Sequence, residues 1–226
     1  MKTARSAAAP SPDLAGGPGK PLLRGVTHEI AAFAALAAWI GLTLAAPSPR
    51  ARVAAGVYGA TLLALFTVSA LYHRPTWAPR ARLFWRRLDH SAIFLLIAGS
   101  YTPFCLLVGG TAGRALLVVV WTGAAAGVAQ AIAWPTAPKP LVALVYVVLG
   151  WVVIPVLPVL RLELGPAFIA LLAVGGIAYS LGAVVYALRR PDPFPRVFGY
   201  HEVFHVLVVA AAVLHFVAVA AAVLAL

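Results

Sequence analysis

The chain has 226 residues, 63% of them hydrophobic and only 10% charged, with a mean hydropathy of +0.97. That balance excludes an ordinary soluble domain, in which about a quarter of the residues are charged, and places the chain in a bilayer. The net charge of +11 does not point to nucleic acid, because the basic residues fall between apolar runs and form no continuous basic face, and the single cysteine, Cys105, excludes an internal disulfide.

Residues 1–24 are rich in Pro, Gly, Ala and Ser and carry Lys2, Arg5, Lys20 and Arg24 without the apolar core of a signal peptide. They read as a disordered basic cytoplasmic tail. Residues 25–226 then form a transmembrane domain, with apolar spans expected at 30–46, 53–72, 91–108, 115–134, 141–160, 166–188 and 203–226. Runs of this kind, continuously apolar and about 20 residues long, cross the hydrocarbon core as helices and lack the alternation of a barrel strand. The predicted fold is an all-α integral membrane protein, a seven-transmembrane helix bundle in the cell (plasma) membrane. Pro and Gly clusters punctuate the spans, and Pro103, Pro155 and Pro158 fall inside them, where a kink is expected.

Positive charge predicts the orientation. With the N-terminus cytoplasmic and the C-terminus external, 13 Lys and Arg residues lie inside and only Arg50, Arg52, Arg114 and Arg161 lie outside. Trp77, Phe84 and Trp85 suit an anchor at the headgroups.

Ionisable residues in or bordering the spans are few, and each is a functional candidate because polar groups at that depth need partners. HEVFH, from His201 to His205, fits the H-E-x-x-H pattern of helical zinc sites, in which the Glu serves as general base. Two histidines four apart share one helical face and can grip one ion. The topology puts His73 and Asp89 at the same, cytoplasmic, side as His201 and His205, so His73 is the expected third ligand. Zn2+ on three histidines keeps one position open for water and lowers its pKa toward about 7. Asp89 is then expected to hold that water, and Ser69, one turn before His73, to hydrogen-bond to the water or to a substrate carbonyl.

Plainer readings stand beside these. The histidine pair could pack or hydrogen-bond without metal, and Asp89 could be an interfacial ion pair with Arg86 and Arg87. His28 and His90 read as interfacial, and Glu29 as a helix cap or the partner of a basic loop residue. His215, about 15 Å beyond His205, is too deep for the same ion and reads as structural glue to Ser100, Tyr101 or Thr102.

Three blocks, SALYH from Ser69, RRLDHSAIFLLIAGSYTPF from Arg86 and HEVFHVLVVAAAVLHF from His201, resemble the hemolysin III proteins, the bacterial branch of the progestin and adipoQ receptor family that includes the adiponectin receptors. The resemblance implies an N-terminus-inside seven-helix bundle with zinc on His73, His201 and His205, and Asp89 interacting through a water. It implies a membrane lipid as partner, a ceramide or related lipid amide, with zinc-dependent amide hydrolysis in membrane lipid homeostasis as the candidate activity. The family does not generally require Glu at the second position of the pair, which leaves Glu202 without an assigned base role. The competing functions are a non-enzymatic sensor or regulator with structural zinc, a pore-forming cytolysin, and an intramembrane metalloprotease.

Overall fold

The computed structural model describes residues 20–226. Its helices are α1 (Val26–Ala45), α2 (Pro49–His73), α3 (Pro79–Val108), α4 (Gly110–Ala133), α5 (Lys139–Gly150), α6 (Leu157–Leu164), α7 (Pro166–Leu188) and α8 (Tyr200–Leu224), with a short 3-10 turn, Ile154–Val156, between α5 and α6. Among the described residues, seven segments are long and apolar enough to cross a membrane, α5 to α6 counting as one (Lys139–Leu164). Large apolar side chains face outward along them, among them Phe33 at 74% and Leu44 at 81% exposure. A surface of that kind is stable only against lipid.

The sequence punctuation sets the helix ends. Ser48 caps α2 by accepting the Ala51 N–H at 3.1 Å, and proline stands at the start of α2, α3, α5, α6 and α7, where its missing N–H costs nothing. Gly109 and Gly165, at φ 63 and 85, turn the chain from α3 to α4 and from α6 to α7 in a conformation that side chains resist. Both α3 and α8 begin earlier than their apolar runs, so Arg86 and Asp89 lie in the early turns of α3, and His201 and Glu202 in the first turn of α8.

The fifth crossing is broken where Pro155 and Pro158 interrupt the helical ladder. Backbone groups freed inside a bilayer need internal partners. Tyr101 of α3 supplies them: its hydroxyl donates to the Gly150 carbonyl at 2.6 Å and accepts the Val153 N–H at 2.8 Å.

Sequential neighbours pack pairwise, and α8 closes the bundle by touching α1, α2, α3 and α7. Its buried seam is small: Ala211, Ala218, Val219, Ala222 and Val223 are fully enclosed, as expected where lipid supplies no hydrophobic drive and close approach must hold helices together. The central place of α8 decides which residues can share a site with its histidines.

Residues 1–19 of the expected tail lie outside the described residues. Residues 20–24, assigned to the same disordered arm, are instead strapped to the loop before α8, with the Leu22 and Leu23 N–H groups donating to the Arg196 and Val197 carbonyls at 3.1 Å each. Their backbone finds strand-like partners there, and this holds Arg24 over the start of α8.

Candidate metal centre

The three predicted ligands meet. His73 closes α2, His201 and His205 lie one turn apart near the start of α8, and all three are buried. One ligand atom from each lies within 4.8 Å of the others. His73 Nε2 and His201 Nε2 are 3.1 Å apart, close to the spacing of about 3.3 Å between two nitrogens that sit about 2.0–2.1 Å from one tetrahedral zinc. Two imidazole nitrogens at that distance share either a proton or a cation. With three histidines converging, the donor set fits a borderline metal such as zinc.

Asp89 lies beside this cage, its Oδ2 3.9 Å from His73 Nε2. Its place beside the cage comes from the packing of α3 against both α2 and α8. Ser69, one turn before His73, is buried and faces the Asp89 carboxylate. It also bonds His28 Nδ1 at 2.8 Å. The Ser69 hydroxyl serves that ring nitrogen as donor or as acceptor according to the tautomer of His28. Water or a substrate carbonyl is the expected partner of Ser69, and among the described residues its side chain bonds His28.

His28 corrects the sequence reading. Expected at the interface, it is 3% exposed and lies stacked on His205, with ring centroids 3.8 Å apart and planes 8° from parallel. Its Nε2 and the Nδ1 of His205 are enclosed without hydrogen-bond partners among the described residues. The residue was missed because α1 is apolar on every side, so periodicity could not tell which face turns inward. Its neighbour Glu29 does point outward and pairs with Arg74, at the start of the loop after α2, at 2.7 Å, as one of the sequence readings had it.

Glu202 takes no part in the cage. It is fully enclosed, one oxygen bound by Arg24 and the other accepting the Gly199 N–H at 2.8 Å. Both oxygens are committed to closing the first turn of α8 and fastening residue 24 to it, a capping role. The H-E-x-x-H glutamate is therefore not positioned as a base toward the histidines.

His215 also departs from expectation. Its partner is on α7, the Leu172 carbonyl at 3.3 Å, and not on α3. Gly175 makes this possible, since any side chain there would collide with the His215 ring.

A cavity of about 180 Å³ opens from the cage into the bundle. Its outer part is lined by Arg24, Arg82, Arg86, Lys139 and Tyr200, and its inner part by Tyr101, Trp151 and His215, among others. From Tyr200 to His215 is about 22 Å at helical rise, so the cavity reaches the middle of a bilayer.

Residues 18–216 match the family described as Haemolysin-III related. The chain is 34% identical to Hemolysin-3 of Bacillus cereus over 195 residues, covering 84% of this chain and 86% of that one. It is 34% identical to the Hemolysin-3 homolog of Bacillus subtilis (strain 168) over 184 residues, covering 80% and 83%. A more distant relative is the Monocyte to macrophage differentiation factor of Homo sapiens, 28% identical over 174 residues, covering 74% and 69%.

Proposed function

The chain belongs to the Haemolysin-III related family, multi-pass membrane proteins related to the adiponectin receptors, and from that premise we propose that it is a zinc-dependent hydrolase of membrane lipid amides. The observation that carries this is the convergence of three buried histidines and a carboxylate at the polar end of a cavity that runs into the bilayer. His73, His201 and His205 would hold the ion. Zinc bound there supplies a Lewis acid for an amide carbonyl and lowers the pKa of water.

The remaining chemistry falls to the chain's own side chains. Asp89, beside the cage, accepts the proton of the attacking water and returns it to the departing amine. Ser69, next to Asp89 and held by its hydrogen bond to His28, would orient the carboxylate. The apolar depth of the cavity takes the acyl chain and excludes bulk water, which strengthens each of these interactions. The bundle end that carries the cage is read as cytoplasmic, on the strength of 13 positive charges against 4.

The test is incubation of purified protein with ceramide labelled in its acyl chain. Fatty acid should be released, release should stop on chelation, and zinc should restore it. A second reading, zinc as a purely structural staple, is favoured by the cage joining α2 to α8. In that case chelation lowers the melting temperature while no N-acyl lipid is turned over.

A further inference from the structure

Polar groups at mid-membrane depth have no water to turn to and need partners inside the protein. Around the inner end of the cavity most have them. Tyr101 is held by Gly150 and Val153, and Ser180 donates to the Gly176 carbonyl at 2.8 Å while accepting the Trp151 indole N–H at 3.0 Å. His215 and Tyr179 differ. The Leu172 carbonyl only accepts, so His215 Nε2 carries the proton of that bond, and the Nδ1 of a neutral ring is then an acceptor. No hydrogen bond among the described residues engages that Nδ1 or the Tyr179 hydroxyl.

The two residues adjoin one another and the cavity. Their rings meet edge to face, with centroids 5.2 Å apart, and both line the cavity. Gly175, one turn before Tyr179, lets the Cδ2–Nε2 edge of His215 press against α7, which leaves Nδ1 on the other edge. Neither open atom is sealed in protein as the Tyr58 hydroxyl is. A second cavity of about 60 Å³ adjoins the first here, sharing Ser100, Trp151 and His215 with it, and is walled beyond them by Phe104, Ile169 and Leu172. The deep end is thus an apolar passage with a donor and an acceptor partway along it, and an acyl chain entering from the cage has room to continue past His215.

We infer that His215 Nδ1 and the Tyr179 hydroxyl form a polar subsite, in the depth of the cavity, for a hydroxyl group carried midway along the acyl chain of the bound lipid. A hydroxyl fits because it donates and accepts at once. It gives its proton to Nδ1 and takes that of Tyr179, whereas a ketone or ether oxygen only accepts. An unsubstituted chain leaves both protein groups unpaired in an apolar setting, at the cost of two unmade bonds. The depth is fixed by the fold. His215 lies about 15 Å beyond His205 at helical rise, and a zigzag of carbons with bonds of about 1.5 Å covers that distance in about a dozen atoms. The inference rests on the cavity being a lipid site, and it requires neither zinc nor turnover. It narrows the substrate of the proposed hydrolase to lipids whose acyl group is hydroxylated in mid-chain.

The test is calorimetric titration of the full-length protein, in a non-ionic detergent, with four fatty acids of eighteen carbons. One is unsubstituted, one hydroxylated on the twelfth carbon, one a ketone at that same carbon, and one hydroxylated on the second carbon. The mid-chain hydroxy acid should bind about fivefold or more tighter than the unsubstituted acid, with the ketone between them. Tyr179→Phe should bring the hydroxy acid to within about twofold of the unsubstituted one, whose own binding stays unchanged and shows that the fold is intact. His215→Phe should remove the advantage of the hydroxyl over the ketone, since each then only accepts from Tyr179. Equal binding of the mid-chain hydroxy and unsubstituted acids by the native protein overturns the subsite and leaves the lipid cavity standing. A preference that survives Tyr179→Phe, or one equally strong for a hydroxyl on the second carbon, overturns it as well. Failure of all four acids to bind overturns the subsite together with the lipid reading of the cavity.

Discussion

His28 and His205 lie face to face, 3.8 Å between ring centroids, although one opens the first helix and the other stands in the last. For a metal held by the cage, the stack would do what a hydrogen-bonded outer partner does in many metal sites, fixing the plane of the His205 ring. It also joins the first and last described helices at the site, and the bond from His28 to Ser69 brings it next to Asp89.

The two functions of His28 can be separated. His28→Phe keeps a flat ring against His205 and gives up the bond to Ser69, whereas His28→Ala loses both. Zinc affinity, measured by competition with a chromophoric chelator, should fall about 10–100-fold in the alanine variant and little in the phenylalanine variant. Equal losses in both variants would show that stacking does not position His205.

Metal content tests the cage directly. Purified protein should carry about one zinc per chain, and His73→Ala or His205→Ala should reduce this to less than about a tenth, as removing one of three ligands predicts. Unchanged content in both variants, by plasma mass spectrometry, would dismiss the site.

Asp89 and Glu202 should fail in different ways. Asp89→Asn removes the proton acceptor and is expected to lower hydrolysis about 100-fold or more with zinc retained. Glu202→Gln leaves Arg24 without its counter-charge, and should cost about 1–3 kcal/mol of stability in detergent with turnover of the folded fraction preserved. A selective loss of activity in Glu202→Gln would return the glutamate to the role of base.

Gly127 of α4 has no room for a side chain, because a Cβ there would penetrate the ring of Phe94 on α3. Gly127→Ala should therefore lower the thermal midpoint, by the equivalent of about 1–3 kcal/mol. An unchanged midpoint would mean that α3 and α4 can part without cost.

The orientation is open to a fusion experiment. Alkaline phosphatase joined after Leu226 should be active, since the C-terminus is read as external. A fluorescent cytoplasmic reporter at the same position should be dark. The reverse pattern would place the cage at the outer face.

Much of this protein was legible in its residues. Seven apolar runs of bilayer length leave a helical bundle as the physical solution, and glycines and prolines marked where the runs end. His201 and His205 fall on one face by helical spacing alone, and topology put His73 and Asp89 at the same end. The break of the fifth crossing was signalled by Pro155 and Pro158, but not that Tyr101 would satisfy it.

What only the tertiary structure decided was the direction in which each polar side chain turns. Helices apolar all round carry no amphipathic signal, so the sequence alone determined depth along the bilayer and left rotation about each helix axis free. Packing of α1 and α3 against α8 settled that rotation. It turned His28 into the site and Glu29 out of it, committed Glu202 to Arg24 and Gly199, and enclosed Arg86. Small residues set how closely the helices approach, and that closeness, which no single helix contains, decides which polar groups meet.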